Sequence, residues 1–406
     1  MPKGKSDIPD LRLERLQGLI SSFQTPPNLR LMTLFSSSNA DSDTIKWESQ
    51  TGNRGMTPFA APGAPADTTA PGGIAEHSAM AAYWKEKMYF DEVFLNNLRA
   101  PGTVATYETA KTRLARETFK LRNRADRRKE WMFAKMLTAG GFTYLGANGV
   151  KIAVDYGVPT AQIVTLGEAR KWDTGSQRNV LEDIMDAKLT LQNSVGAQIN
   201  YALFTSEILK LLILDSNIQT LLSKSNYGTG DLFARPMQVL GNLLDIENFI
   251  LYDEQYVITA WLTAAVTASS TTTVYVDDAT DLIVGGTARF HDVSAGTYED
   301  ATITAVDVDA GTFTIAVTEA SFKAGEDKVT MTTKFLPTDS FSMFASTVEG
   351  QNIAEYISAP FGLTRNWGLY VDTKDEWDPD GMWVRVQNKG LPVLYQKDAL
   401  YVLTVK

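Results

Sequence analysis

The sequence predicts an α+β fold built around one very long helix, with a small all-β domain inserted into it. The helix is predicted over residues 103–141, because no Gly or Pro lies between Gly102 and Gly140 and strong helix formers dominate there. The β domain is predicted over residues 262–333, where 16 of 72 residues are Thr and glycines separate short alternating stretches. The remaining segments mix helix-type and strand-type patterns, which indicates a mixed core.

The composition narrows the possible classes of function. The 406 residues are 44% hydrophobic, which suffices for two or three domains. A formal net charge of −10 argues against a dedicated nucleic-acid binder, whose surface is usually basic. The chain has no Cys, which excludes disulfides, thiolate metal sites and cysteine nucleophiles. Because His77 and His291 are its two histidines, we expect no histidine-based metal site or catalytic triad. With the catalytic motifs considered below also missing, we expect no cofactor and no enzymatic activity.

No targeting or membrane segment is predicted. Residues 1–5 lead into charged sequence rather than an apolar stretch, so we expect no signal peptide. The longest apolar runs, such as residues 208–214, contain a charge and are far shorter than the ~20 residues that span a bilayer. We therefore expect a protein made in the cytosol, without membrane contact.

Residues 1–40 predict an arm that cannot bury its own apolar face. A helical pattern places Leu16, Ile20 and Phe23 on one side, and two prolines at 26 and 27 end it. A single helix of this length has nothing of its own to pack against. We therefore expect its apolar face to lie on another surface.

Residues 41–97 predict a two-stranded excursion from the core. Residues 44–48 alternate as a strand does, but residues 58–73 contain four prolines and three glycines and suit neither helix nor strand. Since so long a structureless loop is unusual in a compact domain, we interpret it as a flap that lies on a neighbouring molecule. A disordered loop or an enzyme lid is the alternative. The candidate contact residues of this flap are Trp47, Arg54, Phe59, Tyr83 and Trp84.

The long helix carries the strongest charge feature of the chain. Residues 111–129 hold nine bases and two acids. Three interpretations of these bases are open: a solvated helix face with salt bridges, contacts to acidic neighbours, or a face turned toward polyphosphate. The last would hold nucleic acid without sequence preference. The candidate basic face consists of Arg113, Arg116, Lys120, Arg124, Arg127 and Arg128.

After this helix the pattern predicts a hairpin and then an α/β segment. The pair Asn148-Gly149 indicates a hairpin turn. Ser206 and Ser216 are the predicted caps of two successive helices. The other predicted elements are a helix over 180–191, a strand over 199–204, a helix over 236–244 and a strand over 249–252.

Residues 262–333 differ in charge and composition from their surroundings. They hold 11 acids against three bases, and we read a five- or six-stranded module inserted between neighbouring strands of the α/β segment. The predicted strands cover 273–276, 287–290, 301–306, 312–317 and 328–332. The tail then supplies strands over 383–386 and 400–403, which we expect to close the main sheet.

No motif of catalysis is present. The sequence lacks a P-loop, a Rossmann glycine fingerprint, a nucleophile elbow and a zinc-protease helix motif. Residues 376–387 superficially resemble a calcium loop, but Glu376 stands first and Gln387 last, so we interpret them as a polar turn. Acids of the 262–333 module are better explained as turn residues than as a glycosidase pair.

The order of these parts resembles the major capsid proteins of tailed bacteriophages, and most closely the lambda-type E family. The stretches that carry the resemblance are residues 44–59, 84–98 with Pro101-Gly102, 130–134 and 399–402. It implies the Hong Kong-phage-type capsid fold. In that fold the segments would be an N-arm (1–40), an extended loop (41–97), a peripheral domain (98–158), an axial domain (159–261), an inserted β domain on the outer surface (262–333) and return strands (334–406).

The resemblance also implies a function. We expect a subunit that assembles with itself into the pentamers and hexamers of an icosahedral shell around packaged double-stranded DNA. Assembly would take place in the host cytoplasm, and the finished shell would be the capsid of the virion. No long helical scaffolding segment precedes the arm, so we expect a separate scaffolding protein, together with a portal protein and a possible decoration protein. The alternatives are an encapsulin-like cargo shell, or a carbohydrate-binding or carbohydrate-hydrolysing protein that uses the β module.

Overall fold

A computed structural model describes residues 26–50, 56–57, 59, 62, 74–91, 107–145, 151–225, 229–378 and 380–406. The α-helices within these residues are α1 (Tyr107–Ala139), α2 (Val180–Val195), α3 (Ser206–Leu214), α4 (Ser216–Ser223), α5 (Thr229–Ala234) and α6 (Pro236–Leu244). Short 3-10 helices cover Leu31–Thr33, Thr160–Gln162 and Lys397–Ala399. The strands are β1 (Ser36–Asn39), β2 (Thr44–Gln50), β3 (Ile74–Met80), β4 (Ala82–Asp91), β5 (Gly141–Leu145), β6 (Lys151–Asp155), β7 (Ile163–Thr165), β8 (Tyr201–Phe204), β9 (Asn248–Leu251), β10 (Gln255–Trp261), β11 (Thr273–Tyr275), β12 (Thr287–Asp292), β13 (Thr297–Asp307), β14 (Thr312–Ile315), β15 (Lys328–Lys334), β16 (Ser340–Phe344), β17 (Thr347–Val348), β18 (Gln351–Asn352), β19 (Ala354–Ser358), β20 (Tyr370–Trp377), β21 (Asp380–Leu394) and β22 (Leu400–Thr404).

The described chain divides into two compact units. The first gathers the described parts of Met1–Phe142, Val154–Leu251 and Asp339–Lys406, and the second gathers those of Thr143–Ala153 and Tyr252–Thr338. The first unit holds the long helix and two five-stranded sheets, and the second holds a six-stranded sheet. This mixture of helices and strands confirms the predicted α+β class.

The long helix predicted from the sequence is α1, which we call the spine helix. It has 33 residues and is therefore ~50 Å long at about 1.5 Å per residue. Gly140 follows it with φ of +65°, and its N–H donates to the carbonyl of Met136 at 3.2 Å, as expected of a glycine that ends a helix. The predicted start at residue 103 lies outside the described residues.

Most of the last third of the spine helix is buried, with Lys135 half-buried and Ala139 exposed. Its six most buried apolar residues are Trp131, Met132, Phe133, Ala134, Met136 and Leu137. Phe133 stacks on Phe35 with ring centroids 5.6 Å apart, and Phe35 lies 6.1 Å from Phe344 of β16. A helix that is apolar all round belongs in a core, so this end of the spine helix is an interior element of the first unit.

A buried carboxylate joins the spine helix to an earlier part of the chain. Glu130 is fully buried, and its Oε1 and Oε2 accept the backbone N–H groups of Leu31 and Met32, each at 2.8 Å. These N–H groups open the 3-10 helix Leu31–Thr33 and have no partner within it. Because negative charge is favourable at a helix N-terminus, the carboxylate stabilises both elements.

We predict that Glu130→Ala lowers the free energy of unfolding by about 3 kcal/mol, because two buried N–H groups lose a charged acceptor. Glu117→Ala is the matched control, since Glu117 lies on the same helix and forms a surface pair with Lys120, worth at most about 1 kcal/mol. Chemical denaturation followed by circular dichroism measures both variants. An equal, small loss in the two variants would contradict the role given to Glu130.

The first five-stranded sheet is organised by the 15-residue strand β21. One edge of β21 pairs with β4 over residues 381–390. The other edge pairs with β20 over residues 380–387 and then with β19 over residues 390–394, and β1 adds in parallel to β19. The apolar side of this sheet packs on Leu121 and Ala125 of the spine helix.

The second five-stranded sheet has the order β7-β22-β16-β8-β9. Its core includes Phe204, Phe341 and Leu403, packed against apolar residues of α2 to α6. Residues 383–386 lie in β21 of the first sheet, whereas residues 400–403 lie in β22 of this one. The expectation that both segments close one main sheet is therefore wrong, because alternation identifies a strand without identifying its partner.

Two of the predicted helix caps are displaced by one residue. The Oδ1 atom of Asp215 accepts the N–H groups of Asn217 at 2.9 Å and Ile218 at 3.0 Å, so Asp215, not Ser216, caps α4. Thr205 occupies the N-cap position of α3 without a side-chain cap bond, so the prediction of Ser206 is also wrong. A cap residue has a non-helical backbone, and adjacent polar residues do not reveal which one adopts it.

We predict that Asp215→Ala lowers the free energy of unfolding by about 1.5 kcal/mol, because two N–H groups at the start of α4 lose their acceptor. Ser216→Ala is the control, since its hydroxyl does not cap the helix, and we expect a change within about 0.5 kcal/mol. Thermal and chemical unfolding of both variants measure the difference. A larger loss of stability in Ser216→Ala than in Asp215→Ala would identify Ser216 as the cap.

The second unit contains a six-stranded barrel. Its strand order is β10-β15-β12-β13-β14-β11, and a bridge between Leu262 and Val276 joins the last strand to the first. The interior includes Val274, Phe290, Phe313, Phe322 and Met331. The sheet extends beyond both predicted boundaries of the 262–333 module, since β10 begins at Gln255 and β15 ends at Lys334. That this barrel is an inserted domain stays a prediction.

Candidate subunit-contact surfaces

The two-stranded ribbon of β2 and β3 lies within the segment predicted as a flap. Its antiparallel register runs from Thr44 opposite Met80 to Gln50 opposite Ile74. Trp47, a candidate contact residue, is only 4% exposed.

The Trp47 ring stacks on His77 with centroids 5.5 Å apart and lies 6.0 Å from Tyr156. Strand alternation turns Ile45, Trp47 and Ser49 to the same buried side. The structure therefore corrects the interpretation of Trp47: its side chain packs within its own subunit.

The other flap candidates divide between interior and surface. Trp84 is partly buried and packs against the cluster that contains Leu121 and Val384, and its role at a subunit contact stays a prediction. Tyr83 points to the other face of β4, is 43% exposed and donates its hydroxyl to Gln387 at 2.7 Å. Phe59 is fully exposed. The candidates Leu16, Ile20, Phe23 and Arg54 lie outside the described residues.

An exposed aromatic side chain that the sequence analysis missed lies at the end of the β20–β21 hairpin. Trp377 is 91% exposed and pairs with Asp380 across the hairpin. Asp375 and Asp378 beside it are exposed as well. A large aromatic side chain in solvent is typical of contact surfaces, in which Trp often dominates the binding energy. The signal in the sequence was a Trp inside a segment that otherwise reads as a polar turn.

The candidate basic face lies on the outer side of the spine helix. Its first five members follow one another at steps of three or four, and Arg128 lies four residues after Arg124, which puts them all on one side of a helix. The described side chains that are exposed are Arg116, Lys120, Arg124, Arg127 and Arg128. Arg113 belongs to α1, but its side chain is outside the described part of the structure.

Two of these bases have acidic partners in their own chain. Lys120 pairs with Glu117 and Arg124 with Glu86, each at 2.7 Å. Among the residues that the structure describes, no acid pairs with Arg116, Arg127 or Arg128. The guanidinium of Arg128 lies 5.2 Å from the centre of the Trp131 ring. Part of the face is therefore a surface salt-bridge network, and three arginines keep an unneutralised charge.

The opposite side of the spine helix carries charges that are buried. Asp126 lies 3.3 Å from Arg122, and burial raises the pKa of its carboxyl despite that partner. Burial lowers the pKa of Lys129, whose Nζ lies 3.9 Å from the centre of the Tyr356 ring. These charged groups belong to the packing of the helix on its sheet rather than to a contact surface.

The described part of the chain shows neither a metal cluster nor a membrane helix. Within the described ranges, no three His, Asp or Glu side chains are placed to bind a metal ion together. No described helix is at once long enough and apolar enough to cross a bilayer.

Exposed aromatic residues and an exposed arginine face therefore lie on a fold of long extended elements. The chain belongs to the family of phage major capsid protein E, whose model matches residues 16–280. It is therefore a shell-forming capsid protein of the virion and not an enzyme. The match confirms the resemblance drawn from the sequence.

Comparison with solved structures identifies the Hong Kong-phage-type capsid fold. A protein assigned as the capsid protein of a prophage of Escherichia coli CFT073 is similar to this chain at 13% identity, with 97% of this chain and 99% of that chain covered and a TM-score of 0.52. The capsid structure of cyanophage P-SCSP1u matches at 9% identity, with 91% and 86% coverage and a TM-score of 0.44. An encapsulin of Synechococcus elongatus PCC 7942 matches at 9% identity, with 94% and 88% coverage and a TM-score of 0.37. No curated protein matches the chain.

We predict that Trp377→Ala weakens assembly without weakening the fold. Because the side chain is exposed, the free energy of unfolding should change by no more than about 0.5 kcal/mol. Loss of a contact worth about 2 kcal/mol should raise the concentration needed for assembly ~30-fold. Light scattering over a concentration series measures this, with Trp377→Tyr as the control that keeps a ring. Unchanged assembly of the Ala variant would remove Trp377 from the contact surfaces.

Proposed function

We propose that the chain forms the pentamers and hexamers of an icosahedral shell that encloses the packaged double-stranded DNA of a tailed phage. The observation that carries the proposal is the family match, which extends over residues 16–280. A closed shell needs surfaces that bury themselves on several neighbours, because its stability comes from repeated contacts rather than from one large interface.

Exposed aromatic residues at separate places on the first unit support such multiple contacts. Phe59, Tyr83 and Trp377 are all exposed in the isolated chain. We propose them as anchors on neighbouring subunits, together with Arg54 of the extended loop. Leu16, Ile20 and Phe23 would form the apolar side of an N-arm on a further neighbour. Buried aromatic anchors commonly supply most of the binding energy of an interface.

The exposed arginines of the spine helix support a loose contact with packaged DNA. Arg116, Arg127 and Arg128 have no acidic partner among the described residues, in a chain whose formal net charge is −10. Contacts of this kind to phosphates release counterions and have no sequence preference. We propose that this face, with Arg113, Lys120 and Arg124, is turned toward the interior of the shell.

The domain plan and the further partners are part of the same proposal. Residues 1–40 would form the N-arm, 41–97 the extended loop, 98–158 the peripheral domain, 159–261 the axial domain and 334–406 the strands that complete both. The 262–333 module, with 11 acids and three bases, suits a solvent-facing outer surface. Assembly would take place in the host cytoplasm with a scaffolding protein and a portal protein. If the 262–333 module strengthens the shell, a separate decoration protein would be dispensable.

The alternatives predict different particles. An encapsulin-like shell would share the fold and enclose a protein cargo rather than DNA. A carbohydrate-binding or carbohydrate-hydrolysing protein would be a monomer under all conditions. Neither is favoured by the family match.

The test is electron microscopy with sizing of the full-length protein, produced with and without a candidate scaffolding protein. Closed shells or capsomer rings are expected. A homogeneous monomer under both conditions would contradict the shell, and shells that carry a protein cargo but exclude DNA would favour the encapsulin alternative.

For the basic face, we predict that the triple variant Arg116→Gln/Arg127→Gln/Arg128→Gln still folds but binds DNA with a weaker salt dependence. Three lost phosphate contacts should lower the slope of log K against log salt by about 2.7. Binding of unassembled full-length subunits to a short DNA duplex across a salt series measures the slope.

The matched control removes three exposed bases that lie elsewhere, Lys46, Lys323 and Lys374, each changed to Gln. Both triple variants change the net charge by the same amount, so a difference between them reports the position of the charges. An equal loss of slope in the two variants would contradict the proposed DNA face. A failure of the arginine variant to assemble, with its slope unchanged, would assign the face to a neighbouring subunit.

A further inference from the structure

Four strands of the barrel each bring one side chain into a single row on its outer surface. Trp261 pairs with Lys328, Lys328 with His291, and His291 with Tyr298. Directly paired residues point to the same side of a sheet, and the neighbouring Phe290 points the other way, into the core. Since adjacent strands lie about 4.8 Å apart, Trp261 and Tyr298 stand ~14 Å apart at the two ends of the row. We call these four residues the barrel strip.

The two aromatic side chains of the barrel strip are exposed but held in place. Trp261 is 43% exposed and Tyr298 is 63% exposed. The Nζ of Lys328 lies 5.6 Å from the centre of the Trp261 ring, and the guanidinium of Arg289 lies 4.3 Å from the centre of the Tyr298 ring. The strip is therefore a platform whose rings are oriented before any ligand arrives, which lowers the entropic cost of binding.

The barrel strip also concentrates positive charge in an acidic module. Of the three bases in residues 262–333, Lys328 lies in the strip and Arg289 beside it. Arg289 is neutralised by two hydrogen bonds to Asp300, at 2.7 and 2.8 Å. Lys328 has no acidic partner in the part of the chain that the structure describes. One unneutralised cation therefore lies between two aromatic rings.

The fourth member of the strip supplies a polar contact rather than a second charge. The Nε2 atom of His291 lies 2.8 Å from the hydroxyl of Thr330. Burial, followed by the charges of Lys328 and Arg289, lowers the pKa of His291. The imidazole is therefore neutral at neutral pH, and a ligand on the strip meets one positive charge flanked by neutral hydrogen-bonding groups.

We propose that the barrel strip binds a saccharide that carries a carboxylate group. The rings of Trp261 and Tyr298 would pack against the apolar faces of two sugar units, and Lys328 would donate to the carboxylate of a unit between them. His291 and Thr330 offer hydrogen bonds to hydroxyl groups. In the OB-fold, which is also a small barrel, the outer face of two strands takes part in binding oligosaccharides and oligonucleotides.

A saccharide fits the strip better than two other occupants. A nucleic acid strand would bring a charge at every unit to a module with 11 acids and three bases, and such a surface repels a polyanion. A second copy of the chain would need a contiguous apolar core at the contact, whereas charged and polar side chains separate the two rings here. This binding activity goes beyond shell formation, so it can fail while the shell still forms.

The test is saturation-transfer difference NMR on the full-length protein with three probes: the trisaccharide GlcNAc-GlcA-GlcNAc, which carries one carboxylate on its central unit, neutral chitotriose and the oligonucleotide dT5. We expect transfer to GlcNAc-GlcA-GlcNAc, weaker transfer to chitotriose and none to dT5. Trp261→Ala/Tyr298→Ala should weaken binding of the acidic trisaccharide at least about tenfold, because both stacking contacts are lost. Lys328→Gln should remove the preference for the acidic trisaccharide over chitotriose.

Val257→Ala is the matched control, since Val257 is an exposed residue on the same side of β10 and lies outside the strip. It should bind GlcNAc-GlcA-GlcNAc as the unaltered protein does. The proposal is overturned by the absence of transfer to both saccharides, by equal binding in the double variant, or by transfer to dT5 in their place. Loss of assembly in the double variant with saccharide binding unchanged would identify the strip as a contact between copies. Near-ultraviolet circular dichroism of each variant checks that the barrel is folded.

Discussion

The carboxylate of Glu130, buried inside the first unit, is the interaction on which the arrangement of that unit depends. It fixes the chain at Leu31 and Met32 to the point where the spine helix enters the core. One turn further along the helix, Phe133 stacks on Phe35. A buried charge is stable only when its lone pairs are satisfied, so the 3-10 helix Leu31–Thr33 and the last third of the spine helix have to form together.

The spine helix could be predicted because several independent features of its sequence indicate the same helix. Helix formers, a regular apolar spacing, a preceding Pro-Gly and a following Gly-Gly all indicate one element, and the structure places Gly140 in the left-handed conformation that ends it. Sheet membership could not be predicted in the same way. Strands β21 and β22 are separated by few residues, but they lie in different sheets, because pairing is decided by contacts that are distant in sequence.

For the aromatic residues proposed as contacts, residue type alone does not predict which side chains are exposed. Trp47 and Trp84 are large aromatic residues on strands of the flap, yet both lie against interior surfaces of their own chain. Trp377 has the same chemistry and is exposed. An alternating strand shows which residues share a side but not which side meets the core. On the spine helix, Arg116, Lys120 and Arg124 are exposed as their spacing on one side predicts, whereas Asp126 on the opposite side is buried although it is charged.

The strand β21 has a mechanical consequence for the DNA-filled shell that we propose. From residue 381 to residue 387 it is hydrogen-bonded along both edges, to β4 on one side and β20 on the other, and at Gly390 it passes from β20 to β19 without losing β4. In that shell, a pull on the proposed extended loop would reach β4 along the strand direction and would load the hydrogen bonds of this ladder in shear and all at once, rather than one after another as in peeling. Stress that enters at a neighbour would thus be spread over ten residue pairs before any single bond has to break.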